Sequence, residues 1–196
     1  MGQLIPFRQS SSEPDALSAE ALLAASGTGD RAALGGLFDR FHVAVYRFVS
    51  RLPGVDELGR DDLVQATFLE IPRTAAQFQG HSSVKTWILG VAANVARHHV
   101  RSETRRRKHQ DHFASVPPSS PDQPDTQTDR RRLLLRIAEV LSTLPHDQQM
   151  AFILCDLEQL PGVEVARVLD VPEGTLWRRL HMARKSMRAA LTGGQS

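Results

Sequence analysis

Apolar residues recur along this chain at helical spacing, and no segment alternates convincingly as a strand does. From Asp30 onward Leu34, Leu37, Phe38, Phe41, Val45, Phe48, Val49 and Leu52 fall on one stripe, as one face of a 3.6-residue helix requires. The pattern predicts a long amphipathic helix, capped by the Asp30 carboxylate and ended by Pro53-Gly54. A second helix is expected to open at Asp61 or Asp62, with Leu63, Val64, Thr67, Phe68 and Ile71 on one face. Pro72 should break or kink it. A polar loop, Phe78-Gln79-Gly80-His81-Ser82-Ser83, leads into a helix from about Val84 to Arg107. Trp87, Ile88, Val91, Ala92 and Val95 face inward there, which makes Trp87 a core-packing residue first.

The helical pattern stops between Phe113 and Asp129. That stretch holds four Pro, three Asp and three Ser, with no Lys or Arg. It cannot bury enough apolar surface to offset chain entropy, so it reads as an extended acidic linker. The pattern resumes at Arg130 with Leu133, Leu134, Ile137, Val140, Leu141 and Leu144. Helices are then expected over Asp147–Leu157, Val163–Leu169 and Pro172–Leu191, closed by Gly193-Gly194. Met1 to Leu17 carries Pro6, Pro14 and three consecutive serines without periodicity, and reads as a flexible tail. The expected fold is all-α: tail 1–17, one small helical domain over 18–112, linker 113–129, and a second helical domain over 130–192.

Composition narrows the function. The chain has 196 residues, 41 % of them apolar and only 6 % aromatic. No apolar run approaches the roughly eighteen residues of a membrane span, and the N-terminus lacks the order of a signal peptide. Cys155 is the single cysteine, so no internal disulfide forms and a reducing cytoplasm is the expected location. In an apolar helical run it reads as a small buried hydrophobe. No phosphate-binding glycine loop, nucleophile elbow or nucleophile–base constellation is present, so no catalytic residue and no cofactor is expected. His98-His99 does not make a metal site, because adjacent helical residues point about 100° apart.

Charge points the other way, toward a polyanion. The net charge is only +2, yet the basic residues cluster. Lys85 to Lys108 contains seven Lys/Arg against one acid, and Trp177 to Arg188 contains five and no acid. Such patches on a nearly neutral chain fit nucleic acid, although an Arg-rich solvated face is the blander reading. Val163 to Leu191 adds geometry: a short helix, a tight turn at Asp170-Val171 and a longer helix, the order of a helix-turn-helix. Asp is among the few residues that tolerate a left-handed turn, and Pro172 suits a first helical position. Leu176, Leu180, Ala183, Met187 and Leu191 form the buried stripe, which leaves Trp177, Arg178, His181, Arg184, Lys185 and Arg188 outside. That face predicts contact with a DNA groove. The loop from Phe78 and the basic helix after it suit single-stranded or melted nucleic acid.

At this point the residues resemble a known family. Asp62-Leu63-Val64-Gln65-Ala66-Thr67-Phe68-Leu69, Phe78 to Ile88, and Ala92-Ala93-Asn94-Val95-Ala96 are similar to region 2 of bacterial RNA polymerase sigma factors. Leu144 to Gln149, Asp156-Leu157-Glu158-Gln159-Leu160, Val171 to Leu176 and Arg179 to Arg184 resemble region 4. Two such units with only a linker between them resemble the extracytoplasmic-function (ECF) group of the sigma-70 family. The resemblance implies binding to the clamp helices and flap of core polymerase and to promoter DNA, with an anti-sigma factor as a plausible partner. It implies polymerase contacts at Asp61, Asp62, Leu63, Gln65, Phe68 and Leu69. For the −10 element it implies Phe78, Gly80, His81, Ser82, Ser83, Lys85, Trp87, Asn94, Arg97 and Arg101. For the −35 element it implies Glu173, Gly174, Thr175, Trp177, Arg178, Arg179, His181, Arg184 and Lys185. The departures from the family pattern are Ala66, Pro72, Pro161-Gly162-Val163, Asp170, Trp177 and Met182. They keep two alternatives open: a stand-alone helix-turn-helix regulator, and a sigma-like decoy that occupies polymerase or an anti-sigma factor without initiating.

Overall fold

A computed structural model describes residues 17–110 and 127–192, with side chains over 17–99 and 135–190. Eight α-helices make up the described residues, and no strand occurs among them. Four helices form an N-terminal unit: α1 (Ala19–Gly27), α2 (Arg31–Ser50), α3 (Glu57–Thr74) and α4 (Val84–Gln110). Polar side chains set their starts. The Ser18 hydroxyl accepts from the Ala21 N–H at 3.1 Å. The Asp30 carboxylate accepts from Ala32 and Ala33 at 2.8 and 3.1 Å, satisfying donors that have no partner inside the helix. α2 is the central element, packed against α1, α3 and α4. Its stripe of Leu37, Val45, Phe48 and Val49 is fully buried and shares one core cluster with Leu23, Ile71, Ile88 and Leu89.

The C-terminal unit comprises α5 (Gln127–Thr143), α6 (His146–Phe152), α7 (Gly162–Val168) and α8 (Glu173–Thr192). Its core joins Met150, Ile153, Leu154, Val165, Leu176, Leu180 and Ala183. The Gln149 amide donates to the carbonyls of Leu141 and Leu144 at 3.0 and 2.9 Å, closing the end of α5. The α7–α8 turn follows the sequence expectation. Asp170 is left-handed, with φ of 52°. The Val171 N–H reaches the Ala166 carbonyl and the Asp170 N–H the Arg167 carbonyl, each at 3.0 Å. This is the Schellman pattern, in which a left-handed residue lets the last carbonyls of a helix find donors.

Several boundaries differ from the sequence reading. α1 is an additional helix, unpredicted beyond a start near Ser18. α3 begins at Glu57, capped by Asp56, whose carboxylate accepts from the Gly59 N–H at 2.8 Å. The only apolar side chain of its first turn, Leu58, is exposed, so the buried stripe enters only at Leu63. Pro72 does not end α3, which runs on to Thr74. Proline sits in the last turn, where the helix has few further bonds to lose. α5 takes in Gln127 to Asp129, assigned above to the linker. α6 passes at Ile153 into a π-helical turn, Ile153–Leu157, rather than staying α-helical to Leu157. The rest of the expected linker, the expected tail except Leu17, and Gly193-Gly194 lie outside the described residues.

The two units touch. α7 lies on α4, and Val168 occupies the space a side chain at Gly90 would need: a Cβ there would stand 2.6 Å from the Val168 Cβ. A glycine inside an apolar helix allows such a close approach.

Candidate nucleic-acid interface

α8 carries the basic surface expected of it. Leu176, Leu180, Ala183 and Met187 are buried. Glu173, Gly174, Trp177, Arg178, His181, Met182, Arg184, Lys185 and Arg188 are exposed, while Thr175 and Arg179 are half-buried. Not every cation is equally placed. The Arg184 Nε and Nη2 donate to both carboxylate oxygens of Asp156 at 2.9 and 2.6 Å. Arg179 Nη2 reaches Asp147 at 2.5 Å. These pairs steer the two arginines along the flanks of α8, toward their own unit. Arg178, His181 and Lys185 remain along the outer face.

Two departures from the family pattern turn out to be one feature. The six-membered ring of Trp177 lies on Gly162, at the start of α7. A Cβ at Gly162 would come within 2.6 Å of that ring. The absent side chain at 162 is what seats the indole, leaving Trp177 47 % exposed at the edge of the basic face. The sequence displayed both oddities without displaying their contact.

Beside Arg184 sits Cys155. Burial first, then the neighbouring Asp156 charge, push its thiol up to about 11, against a smaller opposing effect of Arg184. Such a thiol stays protonated at neutral pH and is a poor nucleophile.

The second surface centres on the loop before α4. Gly80 is left-handed, with φ of 70°. Ser83 caps α4: its hydroxyl accepts from the Thr86 N–H at 3.1 Å and pairs with the Thr86 hydroxyl at 2.8 Å. Phe78 meets Trp87 edge-on, with centroids 5.9 Å apart, so Trp87 is half-buried and packs as the stripe implied. Gly80, His81, Ser83 and Asn94 are exposed, and Ser82, Lys85 and Arg97 are half-buried. The Arg97 Nε is buried and finds no acceptor in the described structure. The Arg101 side chain lies outside the described residues. A cleft of about 1070 Å³ joins this surface to α3 and the C-terminal unit, lined by Phe78, Asn94 and Arg97 together with Arg73, Arg167 and Asp170.

On α3 the expected polymerase contacts divide by burial. Asp61, Asp62, Gln65 and Leu69 are exposed. Leu63 and Phe68 are 3 % and 6 % exposed and belong to the core. They hold the helix in place and do not offer a docking surface, a correction that follows from the 3.6-residue period itself. Leu58, 78 % exposed, was missed and lies on the same helix. Also missed were Arg51, Gly90, Glu158, Glu164, Arg167 and Val168, which join the two units. Only Gly90, a glycine inside a strong helical pattern, carried a signal.

The fold and surfaces define a two-unit helical protein with a helix-turn-helix whose second helix carries an exposed basic face. Comparison with known proteins sharpens that class. The sigma-70 region 2 family model matches residues 37–106, and the sigma-70 region 4 model matches residues 134–187. The ECF RNA polymerase sigma factor SigC of Mycobacterium tuberculosis is 31 % identical over 183 residues, covering 91 % of this chain and 92 % of that one. The ECF RNA polymerase sigma-E factor of Escherichia coli is 30 % identical over 171 residues, covering 81 % and 86 %. Among solved structures, CnrH in complex with the cytosolic domain of CnrY superposes with a TM-score of 0.65 at 22 % identity, covering 91 % of this chain and all of that one. RpoE of Bartonella quintana, solved with the anti-sigma factor NepR, gives 0.60 at 20 %, covering 81 % and 96 %. The chain belongs to the ECF RNA polymerase sigma factors.

Proposed function

We propose that this sigma factor binds core RNA polymerase through the exposed side of α3 and directs it to promoters through two DNA contacts. The observation that carries this reading is the pairing in one chain of the two matched regions, each with an exposed polar or basic surface. The outer face of α8, with Arg178, His181 and Lys185, reads the −35 duplex from the major groove, and the α8 N-terminus with Glu173 to Thr175 lies near the backbone. The loop from Phe78 to Ser83, with Asn94 and Arg97, handles the −10 strand once it unpairs. The buried Arg97 Nε lacks an acceptor, and a phosphate or base oxygen there would satisfy it. An anti-sigma partner, of the kind with which RpoE of Bartonella quintana was solved, is part of the proposal. The chain has no catalytic role of its own in this reading. No described helix is long and apolar enough to cross a membrane.

The test is transcription in vitro from a genomic promoter set with core polymerase and this protein. Initiation at discrete starts is expected, and failure to bind core in a pull-down would sink the proposal. Tight binding to duplex promoter DNA without polymerase would favour the stand-alone regulator. Core binding without promoter opening would favour the decoy.

A further inference from the structure

The two tryptophans are placed differently with respect to the core. Trp87 packs against the core cluster, whereas Trp177 stands outside it. The core beneath α8 closes without the Trp177 indole, since Val165, Ala166, Leu176 and Leu180 are at most 1 % exposed. The ring nevertheless has a built seat. Its Cζ2 and Cη2 atoms lie 2.6 Å from where a Cβ at Gly162 would stand, and Cε2 lies 3.5 Å away. Backbone geometry does not demand glycine there: the left-handed glycines of the described residues are Gly29, Gly54 and Gly80. Glycine is also a poor helix former. What the missing side chain supplies at the start of α7 is room for the ring.

The seated indole lies in the second turn of α8, in the N-terminal part that a recognition helix offers to base edges. Residues three apart on a helix are surface neighbours, and the neighbour one turn earlier is Gly174. It is exposed, and a Cβ there would meet nothing within 4 Å. The exposed half of the ring therefore borders a gap into which a partner can come close.

We propose that Trp177 selects a thymine in the −35 duplex through the base's C5-methyl group, and that Gly162 is the positioning residue that aims the ring. This rests on the assignment of α8 to the −35 duplex. The chemistry is specific. The thymine methyl is the apolar group that base pairs display in the major groove. An aromatic carbon surface gains by covering it. A ring already seated loses little side-chain freedom on binding, so more of that gain appears as affinity. Arg178 and His181 beside it make polar contacts, and the indole adds a preference for T·A that charge does not supply.

The test uses the full chain. The probe is the duplex that the chain, alone or with core polymerase, enriches from random sequence. Each thymine of that duplex, on either strand, is replaced in turn by deoxyuridine, which removes only the methyl. One replacement should weaken wild-type binding about fourfold, the size of one buried methyl group. The same replacement should leave the affinity of Trp177→Ala unchanged. Gly162→Ala keeps the indole but moves it off its seat, and should lose the same discrimination. Helix content checks that both variants are folded. A selected duplex without an enriched T·A pair overturns the proposal. So does a scan in which no deoxyuridine weakens wild-type binding, or a methyl effect that persists in Trp177→Ala. An undiminished effect in Gly162→Ala overturns the positioning role. Failure of the holoenzyme to initiate at a promoter carrying the selected duplex would instead overturn the functional reading, while the scan still decides the indole contact. Enrichment of no sequence under either condition overturns both.

Discussion

On α8 the flanking arginines are held by carboxylates of the same unit, Arg179 by Asp147 and Arg184 by Asp156, whereas the loop from Phe78 to Ser83 is held by residues of the other unit. The first surface is finished within its own domain. Its outer face, Arg178, His181 and Lys185, is exposed whether or not the units touch. The second depends on where the C-terminal unit sits. The difference teaches that one chain prepares its two surfaces differently: a helix seated on its own unit presents its side chains whatever the other unit does, while the backbone groups of the loop at His81 and Ser83 are engaged across the units.

The comparison breaks most severely if the rigid helix loses its footing. Leu180 is 1 % exposed beneath the recognition face, and Leu180→Ala should destabilise the C-terminal unit by roughly 2–5 kcal/mol. Hydrogen exchange should then rise in α5 to α8 and stay low in the α2 and α4 core; equal loss in both units would mean that they fold as one. Next comes the outer face. Arg178→Ala should weaken −35 duplex binding by roughly 1–3 kcal/mol on the preferred sequence. Arg184→Ala should cost less, because Asp156 already engages two of its donors. Anisotropy titrations that rank Arg184 above Arg178 would reverse the assignment.

A smaller effect is expected at Gly162→Ala. The added methyl meets the Trp177 ring, and the half-exposed indole can swing aside, so the cost is about 1 kcal/mol, the low end for overpacking. A double-mutant cycle with Trp177→Ala should recover that loss; additivity would show that the two do not couple. Smallest is the effect of pH at Cys155. Its thiol keeps its proton up to about 11, beyond the usual thiol range, so alkylation should be slow at pH 8 and accelerate toward pH 11. The sign for stability follows: over that window the unfolded chain releases a proton that the folded chain keeps, so stability falls as pH rises. Fast modification at neutral pH in the folded state would contradict the burial.

Much of α8 was legible in advance because each signal was local. Asp170, Pro172 and the Leu176–Leu180–Met187 stripe are written within one short segment, and a turn plus a period suffice to place them. The start of α3 was misread because the one apolar residue of its first turn, Leu58, is exposed and stands apart from the buried stripe that begins at Leu63. The π turn at Ile153 has no period in the sequence that marks it. The exposed site residues on α3 were separable from Leu63 and Phe68 by period alone, but a motif quoted as a block hides its own inside. The contacts of α7 were not legible at all. Gly90 and Val168, or Arg51 and Glu158, acquire meaning only when helices far apart in the chain meet.

The chain has two tryptophans, and the fold deals one to each surface. Trp87 stands against Phe78 at the cleft, and Trp177 rests on Gly162 beside the basic face. Indole emission responds to the polarity around the ring. The protein therefore carries its own pair of optical reporters, one at each end of the promoter it is proposed to span. Arrival of DNA at either end can be followed in time without attaching a dye.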